Sequence, residues 1–125
     1  MTMIKRLGDA ELEIMLAIWN ADGPVTSTYV LEQLVGKRDW KLSTLMTVLA
    51  RLVDKGFLKL IKQGRSNFYA PLVDEEEYRR SEGKNVLEKL FDNNLKAMVS
   101  SLVGGKAVTE EELTDLREYL ETMEK

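Results

Sequence analysis

The 125-residue chain contains neither cysteine nor histidine. Without thiols it has no disulfide, no cysteine-bound zinc and no thiol catalysis, and without imidazole it lacks the commonest general base and the commonest metal ligand. Long apolar runs are missing as well: none approaches the roughly eighteen residues that a membrane-spanning helix needs. The opening stretch MTMIKRLGDAELEIM lacks the apolar core and small-residue cleavage site of a signal peptide, so a cytoplasmic protein without membrane insertion is expected. No phosphate-cradling loop is present, because Gly104-Gly105 stands alone before Lys106-Ala107 without Walker spacing. Consecutive carboxylates, Glu75-Glu76-Glu77 and Glu110-Glu111-Glu112, fan around a helix axis and do not converge on one point. Asp74 with Glu77, and Thr109 with Glu112, instead read as capping boxes at helix starts. Enzyme chemistry has few parts left here, and neither a cofactor nor a metal is expected. With 44% hydrophobic residues the chain can hold one modest core plus a smaller element.

What is present is concentrated between Trp40 and Pro71. Leu45, Val48, Leu49 and Leu52 share one face of a helix and can seal against a core. Ser43, Thr44, Met46, Thr47, Ala50 and Arg51 occupy the other face, where small, hydroxylated and basic side chains can approach a groove without filling it. Gly56 stops the helix, because a residue at ease with positive φ closes the last turn cheaply. Phe57 to Lys62 and Asn67 to Pro71 read as strands joined by Gln63-Gly64-Arg65-Ser66, which places Arg65 at a hairpin tip. A reading helix followed by a basic β-finger is the pattern of a winged-helix module.

Charge is divided along the chain. From Lys37 to Arg65 eight basic residues (Lys37, Arg38, Lys41, Arg51, Lys55, Lys59, Lys62, Arg65) face only Asp39 and Asp54. Residues 73–125 hold eight basic and fourteen acidic side chains, a net −6, so residues 1–72 carry +3 of the overall −3. A basic reading surface is thus joined to an acidic tail, and the local sign governs affinity for phosphate.

Around this centre the organisation is mainly α with a small β wing. A first helix is expected from Gly8 or Asp9 to about Asn20, with Leu12, Met15, Leu16 and Trp19 on its apolar stripe, ended by Asp22-Gly23-Pro24. A second, capped by Thr26 or Ser27, turns Val30, Leu31 and Leu34 inward and closes at Gly36. The short connection Lys37 to Lys41 suits a helix-turn-helix, and Trp40 is expected to anchor it by burial. Val25 is expected to add a short third strand. The winged helix-turn-helix DNA-binding domain is placed at residues 1–72 and a C-terminal helical dimerisation arm at 73–125. In that arm Leu87, Leu90, Phe91, Leu95, Met98 and Leu102 mark amphipathic helix with a break at Asp92-Asn93-Asn94. Leu113, Leu116, Leu120 and Met123 form a further stripe. Short helices with one apolar stripe need packing to persist, and a second copy of the chain is the natural partner.

The chain resembles the BlaI/MecI penicillinase-repressor family. The resemblance rests on Leu7, Glu11, Glu13-Ile14-Met15, Trp19, Val25-Thr26, Trp40, Thr44, Thr47, Leu49, Arg51-Leu52, Lys55-Gly56, Gly64-Arg65, Phe68-Tyr69, Pro71-Leu72, Glu77-Tyr78 and Phe91. It implies a cytoplasmic homodimeric repressor that binds a palindromic operator, with a membrane sensor-protease system as a further partner. Two departures stand out. The family's Asn-Phe cleavage pair is replaced at the corresponding place by Ser101-Leu102, and the cysteine cluster of copper-responsive relatives is absent. Asn67-Phe68 falls in the second wing strand and reads as structural.

On this reading Lys41, Ser43, Thr44, Met46, Thr47, Arg51, Lys62 and Arg65 form the DNA-binding set. Ser43, Thr44 and Thr47 reach base edges or phosphates, Met46 a thymine methyl, Arg51 the backbone, and Arg65 with Lys62 a minor groove or phosphate. The competing reading is a winged-helix protein-interaction adaptor that never touches nucleic acid.

Overall fold

A computed structural model describes residues 4–124. The outermost parts of the expected segments, residues 1–3 and 125, lie outside the described residues; the first three positions of the stretch read for a signal peptide are among them. Among the described residues, six helices and a hairpin follow in the order α1 (Asp9–Trp19), α2 (Ser27–Gln33), α3 (Leu42–Asp54), β1 (Leu58–Gln63), β2 (Ser66–Pro71), α4 (Glu75–Phe91), α5 (Leu95–Gly104) and α6 (Glu110–Met123). The chain forms two compact units that meet at Glu82 and Gly83.

Local chemistry sets the boundaries. Thr26 starts α2 by accepting the Tyr29 N–H at 3.1 Å, which satisfies one of the orphan donors of a first turn. At the end of α3, Gly56 adopts φ +86°, and the Phe57 N–H returns to the Leu52 carbonyl while the Gly56 N–H returns to Val53. This pair of bonds is a Schellman closure, and it points the chain straight into β1. The hairpin pairs Leu58 with Pro71 through to Gln63 with Ser66. Its turn puts Gly64 first at φ +60°, the sign that a two-residue, glycine-first hairpin turn demands. Val25 pairs with Tyr69 through two backbone hydrogen bonds of 3.0 and 2.7 Å, which supplies the expected third strand as a single bridge.

The core of the first unit is built from Ile14, Met15 and Ile18 of α1, Val30 of α2 and Leu34 at its C-cap, Leu45, Leu49 and Leu52 of α3, and Phe57 and Leu58 at the root of the wing. On α1 the buried residues are Glu11, Ile14, Met15 and Ile18, whereas Leu16 is 44% exposed and Leu12 and Trp19 are half-buried. The stripe expected from periodicity is therefore rotated. Apolar side chains surround most of this helix, so spacing alone does not select the face, and the positions of α2, α3 and the wing do.

The first turns of α4 belong to this unit. Tyr78 is buried, its hydroxyl accepts the Leu7 N–H at 3.0 Å, and its ring lies 5.8 Å from Trp19 and 5.9 Å from Phe57. Trp19 in turn donates its indole N–H to the Val73 carbonyl at 2.8 Å. A buried tyrosine hydroxyl and a half-buried indole N–H both favour a partner, and here each finds a backbone group, Leu7 before α1 and Val73 between the wing and α4.

In the second unit, Asp92 and Asn93 take left-handed backbone (φ 51° and 64°), a conformation that short polar side chains tolerate best among non-glycine residues. They end α4 where the break was expected. Asn94 then caps α5 by accepting the Ala97 N–H at 2.9 Å. Thr109 and Glu112 cap α6 reciprocally, as do Asp74 and Glu77 at the start of α4. No residue of α5 or α6 is buried.

Candidate nucleic-acid interface

Helix α3 has two chemically distinct sides. Leu45, Val48, Leu49 and Leu52 are buried, whereas Lys41 at its N-cap and Ser43, Thr44, Met46, Thr47, Ala50 and Arg51 are exposed. The sequence-predicted contact residues of this helix therefore lie on its solvent side. Leu42 joins them at 45% exposure beside Met46 at 36%. It was missed because an apolar residue at a helix start reads as core. Thr47 donates its hydroxyl proton to the Ser43 carbonyl at 3.1 Å. Its oxygen stays available as an acceptor, while the Thr44 hydroxyl has no such intrahelical bond among the described residues.

The first turn of α3 differs in charge from those of α1, α4 and α6. Asp9 and Glu11 stand in the first turn of α1, and three glutamates stand in the first turns of both α4 and α6. α3 has no acidic residue in its first turn and no side-chain cap. Its leading N–H groups and the positive end of its dipole are thus open to an anion, with the Lys41 ammonium alongside.

Lys62 and Arg65 are exposed at the far end of the hairpin, as expected. Lys62 lies opposite Asn67 in the ladder, and Arg65 follows Gly64 in the turn. Both belong to the same compact unit as α3.

Two of the eight cations in this stretch are otherwise engaged. Lys55 reaches Glu11 at 2.8 Å, and the Arg38 guanidinium is hydrogen-bonded to Glu13. The six others, Lys37, Lys41, Arg51, Lys59, Lys62 and Arg65, make no ion pair among the described residues. Burial raises the pKa of the Glu11 carboxyl, but the Lys55 hydrogen bond, the Gly8 N–H and the charges of Lys55 and Arg51 outweigh it. The group sits below its ordinary value. No local sequence signal pairs these residues, since the partners lie 25 and 44 positions apart. Trp40 is half-buried against the core with Arg38 placed 5.6 Å over its ring, consistent with an anchoring role.

The tail residues expected to meet a partner divide into two groups. Leu87, Phe91, Met98 and Leu113 are half-buried. Leu90, Leu95, Leu102, Leu116 and Leu120 are 40–73% exposed, together with Val103, Tyr119 and Met123. Among the described residues no group of His, Cys, Asp and Glu is arranged to hold a metal, and no helix is long and apolar enough to cross a membrane.

A helix-turn-helix whose second helix shows a polar, cationic side, followed directly by a β-hairpin with basic residues at its tip, defines a winged helix-turn-helix protein. The chain belongs to the penicillinase repressor family, whose profile matches residues 7–122. It is 31% identical over 121 residues to the penicillinase repressor of Bacillus licheniformis, which covers 97% of this chain and 94% of that one. It is 27% identical over 114 residues to the methicillin resistance regulatory protein MecI of Mammaliicoccus sciuri, covering 91% and 92% of the two chains. Among solved structures, the monomeric form of Bacillus licheniformis BlaI in complex with the blaP half-operator matches 62% of this chain and 94% of that one, at 37% identity and a TM-score of 0.53. Family and fold together support a winged helix-turn-helix DNA-binding repressor.

Proposed function

We propose that the protein represses transcription as a homodimer on a two-fold symmetric operator. The observation that carries this reading is the exposed side of α3, where hydroxyls, Leu42, Met46, Ala50 and Arg51 stand opposite the buried Leu45, Val48, Leu49 and Leu52. An α-helix with small side chains outward fits the major groove, where hydroxyls meet base edges and a methionine or leucine meets a thymine methyl. Ser43, Thr44, Met46 and Thr47 are assigned to base readout. Lys41, Arg51, Lys62 and Arg65 are assigned to phosphate or, for the wing, to the adjacent minor groove. The similar Bacillus licheniformis repressor, solved with its half-operator, supports the assignment.

The finer division of labour follows the charge. Residues 1–72 serve DNA and residues 73–125 join two copies through Leu87, Leu90, Phe91, Leu95, Met98, Leu102, Leu113, Leu116 and Leu120. A single winged helix covers one half-site, so a dimer sets the spacing of two. A membrane sensor-protease system upstream belongs to the same reading. Its test is mass spectrometry of the chain from induced cells: because Ser101-Leu102 stands where the family carries its Asn-Phe cleavage pair, a cut chain would support that partner and an intact chain would remove it.

The deciding experiment is a gel shift with genomic fragments selected by the chain itself, repeated across a salt series. Repression through DNA requires retarded fragments whose affinity falls steeply with salt. Retention of a protein partner with little salt dependence, and no retarded DNA in dilute buffer, would establish the adaptor instead.

A further inference from the structure

The two ion pairs that α1 makes with the basic stretch sit at opposite ends of α3. Arg38 stands in the connection that leads into the helix and bonds to Glu13, with both side chains about one-third exposed (31% and 34%). Lys55 is the C-cap of α3 and bonds to Glu11, whose side chain is 7% exposed. One oxygen of Glu11, Oε1, receives both the Gly8 N–H at 2.9 Å and Lys55 Nζ at 2.8 Å. The acceptor is therefore tied to the backbone at the start of α1. Apolar packing between helices is non-directional and fixes their separation better than their rotation or slide. Charge-assisted hydrogen bonds are short and directional, and one at each end of a helix constrains both remaining freedoms.

We propose that Glu11 and Glu13 are positioning residues for the reading helix: through Lys55 and Arg38 they hold α3 at both ends, so that its exposed side meets DNA in one register. The inference rests on the DNA-binding reading above. It also keeps Arg38 and Lys55 outside the phosphate-contacting set, although both lie in the basic stretch. Their replacement then affects recognition without changing how many counterions the complex releases.

The test uses the full chain, an operator fragment selected by it and a random duplex, each over a salt series. The variants are Arg38→Met, Lys55→Met, Glu13→Arg and the exchanged pair Glu13→Arg with Arg38→Glu, and Lys62→Met serves as the phosphate-binding comparison. Arg38→Met should weaken operator binding roughly two- to fivefold, the range of partly exposed ion pairs, and Lys55→Met by at least as much, because it leaves the buried Glu11 carboxylate without its partner. They should leave random-duplex affinity and the salt slope as in the parent. Lys62→Met should weaken both duplexes and flatten the slope by about 0.9, the increment for one phosphate no longer neutralised. Glu13→Arg should lose operator preference and the exchanged pair should regain it, a recovery that also shows the chain still folds. A flattened slope for Arg38→Met or Lys55→Met, an unchanged ratio of operator to random affinity, or no recovery in the exchanged pair overturns the positioning role while leaving DNA binding intact. Failure of the parent chain to bind either duplex at low salt takes down the DNA reading and this inference together.

Discussion

At the scale of single residues, the hydroxyls of α3 are not equivalent. Thr47 commits its proton to the Ser43 carbonyl, so toward DNA it offers an acceptor, whereas Thr44 can offer either role. Thr44→Ala should therefore reduce the ratio of operator to random affinity by about 1–3 kcal/mol if it meets a base edge, and Thr47→Ala by less. Competition binding with the two duplexes measures both. Arg51→Ala, by contrast, should weaken the two duplexes about equally, because a phosphate contact carries no sequence information. Glu11 provides a pH signature. Its folded pKa lies below its ordinary 4.5, so its stabilising effect is fully present above about pH 4.5 and disappears as pH falls through the lowered folded value. Urea midpoints collected from pH 6 downward should decline more steeply for the parent than for Glu11→Gln. Parallel curves would mean that this carboxylate is not a source of the acid lability.

At the scale of elements, ends matter as much as faces. Gly56 closes α3 at φ +86°, and a Cβ there would meet nothing within 4 Å. Gly56→Ala thus costs only the left-handed backbone, about 1–2 kcal/mol, and the urea midpoint should shift by that amount without change in the slope of the transition. Most of this architecture was legible beforehand. The leucine pattern of α3, its glycine stop, the hairpin and both tail capping boxes depend on residues within a few positions of one another, and short-range chemistry decides them. The stripe of α1 was not legible, because a helix apolar on most sides takes its orientation from α2, α3 and the wing. Nor was the capture of Arg38 and Lys55, since their acidic partners sit on another element and exposure alone separates a paired cation from an available one. The boundary between compact units, at Glu82 and Gly83, falls inside α4. Tyr78 is the cause: its ring packs on Trp19 and Phe57 and ties the first turns of α4 to the winged helix.

At the scale of the whole molecule, the proposed dimer would give the exposed leucines of the tail a partner. Leu116, Leu120 and Met123 on α6, with Leu90 and Leu95 before them, are exposed, and short helices with an apolar stripe gain stability by packing it. Leu116→Lys combined with Leu120→Glu should shift the protein toward monomer in sedimentation equilibrium at micromolar concentration. Affinity for a two-half-site fragment should then drop toward that for a single half-site. A variant that remains dimeric would move the interface away from α6.

Composition and spacing by themselves determined the winged-helix architecture: the one-sided leucines of α3, Gly56 and the basic hairpin tip are all properties of local chain chemistry. Only the tertiary structure decided which cations stand available for phosphate and which face of α1 is buried. Those outcomes depend on which distant groups come within hydrogen-bonding reach, as Glu13 does for Arg38 and Glu11 for Lys55, and proximity between residues far apart in sequence is set by the packing of the core.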